Sequence, residues 1–282
     1  MKKFAVGLLL LAACKSAPTP PPKPSLAERL GGTYAIAAVC QDFLGRLLQN
    51  RVITANKVVA QNADPARVPG LWFHLTAQII DATGGPYKYH GRTMKDVHHG
   101  LNITEAEWNA MVTDLKATLA AFKVPEAEQG ELLEILGTTK KDIVTAPTTD
   151  KPTRPSVQGN SLYARLGGAY PITAVCQDLL GRLIANKTVM ANPKVAERVK
   201  PERGPGLLFH LTAQLIEATG GPMRYAGKPM KEAHAGMDIT GKEWDAMAAD
   251  FKACLDHFKV PAREQDELFK IVGTLKADIV KP

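Results

Sequence analysis

At 282 residues the chain has room for two domains of ordinary size. Hydrophobic residues make up 45% and aromatics 6%, a balance ordinary for a soluble protein with an aliphatic core. The formal charge of +7 is spread over the N-terminal segment, a mid-chain linker and scattered lysines. No basic run is interleaved with aromatics, which argues against a nucleic-acid partner and leaves weak attraction to anionic surfaces as the plainer reading.

Met1-Lys2-Lys3 is a short positive start, and Phe4 to Leu11 is an apolar run too short to span a bilayer as a helix. Ala12 and Ala13 then precede Cys14, so residues 1–14 read as a secretory signal and stand apart from the fold. The string Leu11-Ala12-Ala13-Cys14 resembles a bacterial lipoprotein signal. The resemblance implies lipidation of Cys14, a membrane anchor and a cell-envelope protein facing the periplasm or surface. Lys15 in place of an aspartate after the cysteine leans toward the outer membrane. An ordinary cleaved signal is the alternative. Residues 15–24 form a stiff proline-rich tether that cannot bury a core.

Residues 25–144 are then written again at 161–280, displaced by 136 positions without insertion or deletion. A unit of about 120 residues is far longer than a solenoid repeat and can bury its own core. The expected organisation is two beads on a string: domain one at 25–144, a Thr-, Pro- and Asp-rich linker at 145–160, and domain two at 161–282.

Within the unit the periodicity is helical. Apolar residues at 36, 39, 40, 43, 44, 47 and 48 share one helical face between Thr33 and Asn50. A second helix runs from about Ala66 to Thr83 and stops at Gly84-Gly85-Pro86. A loop at 86–94 leads to a short helix or turn from Met94 to His99, closed by Gly100. Thr104 with Glu107, and Thr240 with Glu243, fit a capping box opening the next helix. Pro125 and Pro261 sit where a last helix begins, followed by acidic residues suited to its N-terminus. No alternating strand pattern competes, so each copy is all-α with about four main helices.

The duplication sorts the candidate chemistry. Of seven histidines, only the pairs His74/His210 and His98/His234 match across the copies, while His90, His99 and His257 read as surface residues. His74 lies in Leu71-Trp72-Phe73-His74-Leu75, apolar on all sides, and His98 lies in a turn after a long loop. Two such imidazoles could clamp a flat cofactor such as haem, although an isolated histidine on an apolar face is also an ordinary core residue. Cys40, Cys176 and Cys254 read as small buried hydrophobes, with a Cys176–Cys254 disulfide the alternative in an oxidising compartment. Zinc spacing, a Ser-His-Asp set and a phosphate-cradling loop are not found in the sequence.

The string Gly84-Gly85-Pro86-x-x-Tyr89-x-Gly91-Arg92-x-Met94-Lys95-x-x-His98-x-x-Leu101-x-Ile103-Thr104 resembles the loop and proximal-helix signature of group I truncated haemoglobins. Its twin runs from Gly220-Gly221-Pro222 through Tyr225, Gly227, Met230-Lys231 and His234 to Ile239-Thr240. The openings Arg29-Leu30-Gly31-Gly32 and Arg165-Leu166-Gly167-Gly168, and the closings Asp142-Ile143-Val144 and Asp278-Ile279-Val280, are similar to the family's too. The resemblance implies an all-α fold of two tandem truncated-globin domains, each a two-over-two helical sandwich, and a haem b in each, up to two per chain. By position it implies His98 and His234 as proximal iron ligands, with Met94 and Met230 touching the haem one turn earlier. Leu71, Leu75, Leu207 and Leu211 would line the distal pocket. His74 and His210 match a position from which a histidine contacts a haem propionate or closes on the iron as a sixth ligand.

Two departures carry weight. Leu44 and Leu180 stand where the family usually has a tyrosine that hydrogen-bonds bound oxygen. Thr54-Ala55-Asn56-Lys57 and Met190-Ala191-Asn192-Pro193 stand where it usually has a phenylalanine packing on the haem, and the stretch before the distal helix is longer. Bound oxygen carries partial negative charge, which a leucine cannot stabilise. The expected function is therefore binding of a diatomic gas (O2, NO or CO) more than catalysis, with an unidentified reductant for the iron. A nitric oxide dioxygenase, a peroxidase-like or an electron-transfer protein is one alternative, and a haem-free scaffold that kept the fold is another.

Overall fold

The computed structural model describes residues 23–62, 64–154 and 156–281, so the signal, Cys14 and most of the tether lie outside the described residues. Among the described residues the secondary structure is entirely helical. Copy one comprises α1 (Leu26–Arg29), α2 (Gly32–Gln49), α3 (Arg51–Thr54), α4 (Lys57–Asn62), α5 (Val68–Ala82), α6 (Met94–His98), α7 (Glu105–Ala121), α8 (Glu126–Thr138) and α9 (Lys140–Ile143). Copy two repeats them as α10 (Leu162–Arg165), α11 (Ala169–Ala185), α12 (Lys187–Met190), α13 (Pro193–Arg198), α14 (Gly204–Ala218), α15 (Met230–Ala233), α16 (Gly241–His257), α17 (Ala262–Gly273) and α18 (Lys276–Ile279).

The helix boundaries fall where side chains satisfy the first free amides. Ser25 and Glu28 form a capping box on α1, and Thr104 with Glu107 and Thr240 with Glu243 do so on α7 and α16. Pro125 and Pro261 occupy the N-cap positions of α8 and α17. Past the ends of α5 and α14 the backbone turns left-handed at Gly84 and Gly220, a conformation open to glycine at no steric cost.

The two copies are not beads on a string. Helices α2, α5, α11 and α14 form a closed ring of four, each packed on two others. Their inward residues make one core drawn from both copies, including Ile36, Cys40, Phe73 and Ile80 with Ile172, Cys176, Phe209 and Ile216. Each copy then covers the outer side of its own pair: α7 and α8 close over Phe43, Leu115, Leu119 and Leu132. Helices α16 and α17 close over Val175, Leu179, Phe251 and Leu268. The reason lies in α5 itself. It places Trp72, Phe73, Ala77 and Ile80 in the shared core and Leu75 and Ile79 also against its own copy's outer cluster, so it needs cover on two faces.

At its centre the contact between copies is self-complementary, these pairs recurring with their members exchanged, as at a two-fold axis. The Phe73 and Phe209 rings stack at 5.0 Å between centroids. Tyr170 meets His74 at 5.2 Å, and Tyr34 meets His210 at 5.2 Å. Arg67 lies over the Tyr170 ring and Arg203 over the Tyr34 ring, at 4.6 and 4.9 Å. Those tyrosines fit because the helix facing each carries a glycine in its first turn, Gly70 in α5 and Gly206 in α14. A Cβ on Gly70 would sit 2.3 Å from Tyr170 Cδ1, and one on Gly206 would sit 2.1 Å from Tyr34 Cδ1.

The linker also differs from a free spacer. Asn102 exchanges two hydrogen bonds with the Thr148 backbone, at 3.0 and 2.9 Å. His99 Nε2 lies 2.9 Å from Asp150 Oδ2, and Arg92 donates to the Thr153 carbonyl at 2.8 Å. The chain passes so near Gly100 that a Cβ there would stand 2.7 Å from the Asp150 carbonyl oxygen. Residues 148–153 are thus pinned along copy one beside the proximal turn.

Candidate functional site

In each copy the sequence-matched histidine lies on a short helical turn, α6 or α15, that packs on the last short helix of its copy. Thr93 caps α6, its hydroxyl accepting from the Asp96 amide at 3.1 Å, and α6 packs on α9. His98 is the last residue of α6, and in copy two His234 caps the end of α15. His98 Nδ1 lies 2.9 Å from the Met94 carbonyl, and His234 Nδ1 lies 2.9 Å from the Met230 carbonyl. A carbonyl only accepts, so Nδ1 carries the proton and a neutral ring keeps its lone pair on Nε2. Burial, partly countered by the Met94 carbonyl, pushes the His98 imidazole below its ordinary value and so favours the neutral ring. Neither Nε2 has a partner among the described residues. An oriented neutral imidazole of this kind is the donor that haem iron takes as an axial ligand.

Leu71 in α5 and Leu207 in α14 are half-buried and belong to none of the three apolar clusters, and the same holds of Met94, Met230 and Leu180. Leu75 and Leu211 pack at the border between the shared core and their own copy's outer cluster. Leu44 packs against the shared core. A free, oriented imidazole nitrogen in each copy, together with half-buried apolar side chains left outside the three clusters, is a set of residues that fits a haem.

His74 and His210 lie at the boundary between the two copies. The His74 ring stands between Tyr89 of its own copy, at 6.0 Å, and Tyr170 of the other. His210 stands between Tyr225 and Tyr34, and its Nδ1 lies 2.8 Å from the Tyr87 hydroxyl of copy one. Burial pushes the His74 imidazole down to about 4 and lowers that of His210. Both are neutral at neutral pH.

His90, His99 and His257 are exposed, in line with the sequence reading. Cys40, Cys176 and Cys254 are free and buried, and no disulfide joins them. Burial pushes all three thiols up to about 12, and Cys254 Sγ donates to the Val175 carbonyl at 3.3 Å, so they behave as packing residues. Sequence reasoning missed Tyr34, Tyr170, Gly70, Gly206, Arg67 and Arg203. The available signal was their identity in both copies at positions outside the proximal motif.

The bacterial-like globin family model matches residues 25–145 and again 161–281, and the chain belongs to that family, with two globin domains in tandem. It is similar to the group 1 truncated hemoglobin GlbN of Synechocystis sp., 34% identical over 43% of this chain and 97% of the relative. It is also similar to the group 1 truncated hemoglobin of Tetrahymena pyriformis, 29% identical over 42% of this chain and 92% of the relative. Among solved structures, the Fe(III) form of the truncated hemoglobin from Tetrahymena pyriformis matches with a TM-score of 0.40. The identity is 25%, covering 44% of this chain and 100% of that one.

Proposed function

We propose that each copy holds one haem b, with His98 and His234 as the proximal ligands, and that the protein binds a diatomic gas. The observation that carries this reading is the repeated Nδ1-to-carbonyl bond, which leaves Nε2 of both imidazoles without a partner among the described residues. The haem would supply an iron with one further position open to a small ligand. The chain's own part is to orient the imidazole, exclude water with Leu71, Leu75, Leu207 and Leu211, and set the polarity of the distal side. Leu44 and Leu180 offer no donor there, which favours CO and NO over retention of O2. An external reductant is required to keep the iron ferrous. The Leu11-Ala12-Ala13-Cys14 string supports a lipid anchor and a place at the cell envelope, outer membrane included.

Titrating the protein with haem, followed at the Soret band, tests the reading. Saturation near two equivalents is expected, falling to one in His98→Ala or His234→Ala and to none in the double variant. Full uptake by the double variant would overturn the assignment. For the anchor, Cys14→Ser is expected to move the protein from the membrane to the soluble fraction, and a variant still sedimenting with membranes would refute it.

A further inference from the structure

His210 has a hydrogen-bond partner that His74 lacks. Tyr87, wholly buried in the shared core, reaches across the boundary to place its hydroxyl 2.8 Å from His210 Nδ1. The matching residue in copy two is Met223, which has no hydroxyl, and the His74 ring makes no hydrogen bond among the described residues. A phenol O–H is a more acidic donor than a neutral imidazole N–H, and an imidazole nitrogen is a better acceptor than a phenol oxygen. The phenolic proton therefore points at His210 Nδ1. In the neutral ring the remaining proton sits on Nε2, so neither nitrogen of His210 presents a free lone pair.

We propose that Tyr87 is a positioning residue that locks the His210 imidazole into the boundary between the copies and thereby makes the two haem sites unequal. Copy two keeps an open distal side, while copy one retains an imidazole free to turn toward its haem site. This rests on the haem reading above. Turning His210 would strand the Tyr87 hydroxyl without an acceptor in a dry core and would require a change of tautomer. Turning His74 breaks no hydrogen bond and loses its ring contacts with Phe73, Tyr89 and Tyr170.

The test uses single-site haem complexes of the full chain. His98→Ala leaves the copy-two site, and His234→Ala leaves the copy-one site. The reduced visible spectrum is expected to be five-coordinate for copy two and to carry a six-coordinate, two-imidazole component for copy one. Adding Tyr87→Phe to His98→Ala keeps the ring and removes the hydroxyl. It is expected to raise the six-to-five-coordinate ratio of copy two about tenfold, the effect of one buried hydrogen bond. Identical spectra from the two sites, or no change on Tyr87→Phe, would overturn the proposal. A haem-free readout separates it from the haem reading. Imidazole 15N signals of the apoprotein should show His210 as one fixed tautomer with the proton on Nε2, lost in Tyr87→Phe. Absence of haem uptake combined with that NMR result would sink the haem reading while the lock stood. A His210 averaging between tautomers in the unsubstituted protein would sink the lock itself.

Discussion

The two copies agree where they touch along the approximate two-fold axis and differ one step away from it. Gly70 and Gly206, Phe73 and Phe209, and Tyr34 and Tyr170 are identical pairs. Next to them copy one uses hydrogen-bonding side chains that copy two replaces with softer ones. The Trp72 indole donates to the Ala37 carbonyl at 3.1 Å, and its counterpart is Leu208. The Thr118 hydroxyl donates to Asp42 at 2.8 Å, and its counterpart is Cys254. Tyr87 bonds His210, and its counterpart is Met223. A duplicated domain that packs on its twin has a boundary fixed by matching shapes, while its polar interior is free to diverge.

The largest expected effect comes from removing the ring at the axis. Phe209 belongs to copy two, yet its ring contacts Trp72, Phe73 and Tyr87, all in copy one. Phe209→Ala is expected to cost about 3–5 kcal/mol and to lower the denaturant midpoint of both copies in one transition. Trp72 fluorescence reports copy one when read with Trp108 and Trp244 replaced by Phe, and Trp244 fluorescence reports copy two when read with Trp72 and Trp108 replaced. If Trp72 followed an unchanged midpoint while Trp244 shifted alone, the shared core would be refuted.

A smaller effect sharpens the comparison of the two boundary histidines by pH. The His74 imidazole is held at about 4 in the folded chain, against 6.5 as its ordinary value. Its folded value is depressed, so stability is full above pH 6.5 and is lost as pH falls from there through about 4. The loss from His74 alone approaches about 3 kcal/mol at the acid end. Burial shifts His210 in the same direction, so it adds to the loss. Denaturant midpoints at pH 7, 5.5 and 4 for the native chain and for His74→Gln isolate the contribution. Equal slopes in the two proteins would show that His74 is not held neutral by burial.

Much of the fold was written in local signals. The capping boxes at Thr104 and Thr240 and the glycine stops after α5 and α14 are decided by neighbours a few residues away. Periodicity places such helices within a residue or two. The candidate site was legible because His98 and His234 recur inside a motif whose spacing fixes the turn, with Met94 and Met230 one turn earlier supplying the carbonyls. The boundary between the copies was not legible as a boundary. Periodicity reports that α5 is apolar around Phe73 and Ala77 but cannot say what covers it, and resemblance to a single-domain family supplies no second domain. The linker misled for a related reason. Its Thr, Pro and Asp content is that of a spacer, and only the fold brings Asn102, His99 and Arg92 within reach of Thr148, Asp150 and Thr153.

The smallest of the three effects is the most discriminating in sign. Gly70 and Gly206 lie in the first turns of α5 and α14, where an exposed glycine-to-alanine change would stabilise the helix by up to about 1 kcal/mol. In the assembled pair the added methyl has nowhere to go. At Gly206 the three nearest atoms all belong to the Tyr34 ring, whereas at Gly70 the third nearest is the Tyr170 Cα at 2.8 Å. A ring can tilt more cheaply than a backbone can shift. Gly70→Ala is therefore expected to cost more than Gly206→Ala, both within about 1–3 kcal/mol. Tyr170→Ala added to Gly70→Ala should recover part of the loss, because the ring is one of the two obstacles. A stabilising Gly70→Ala would mean that Tyr170 does not occupy that space in solution, and that α5 and α11 do not pack as described.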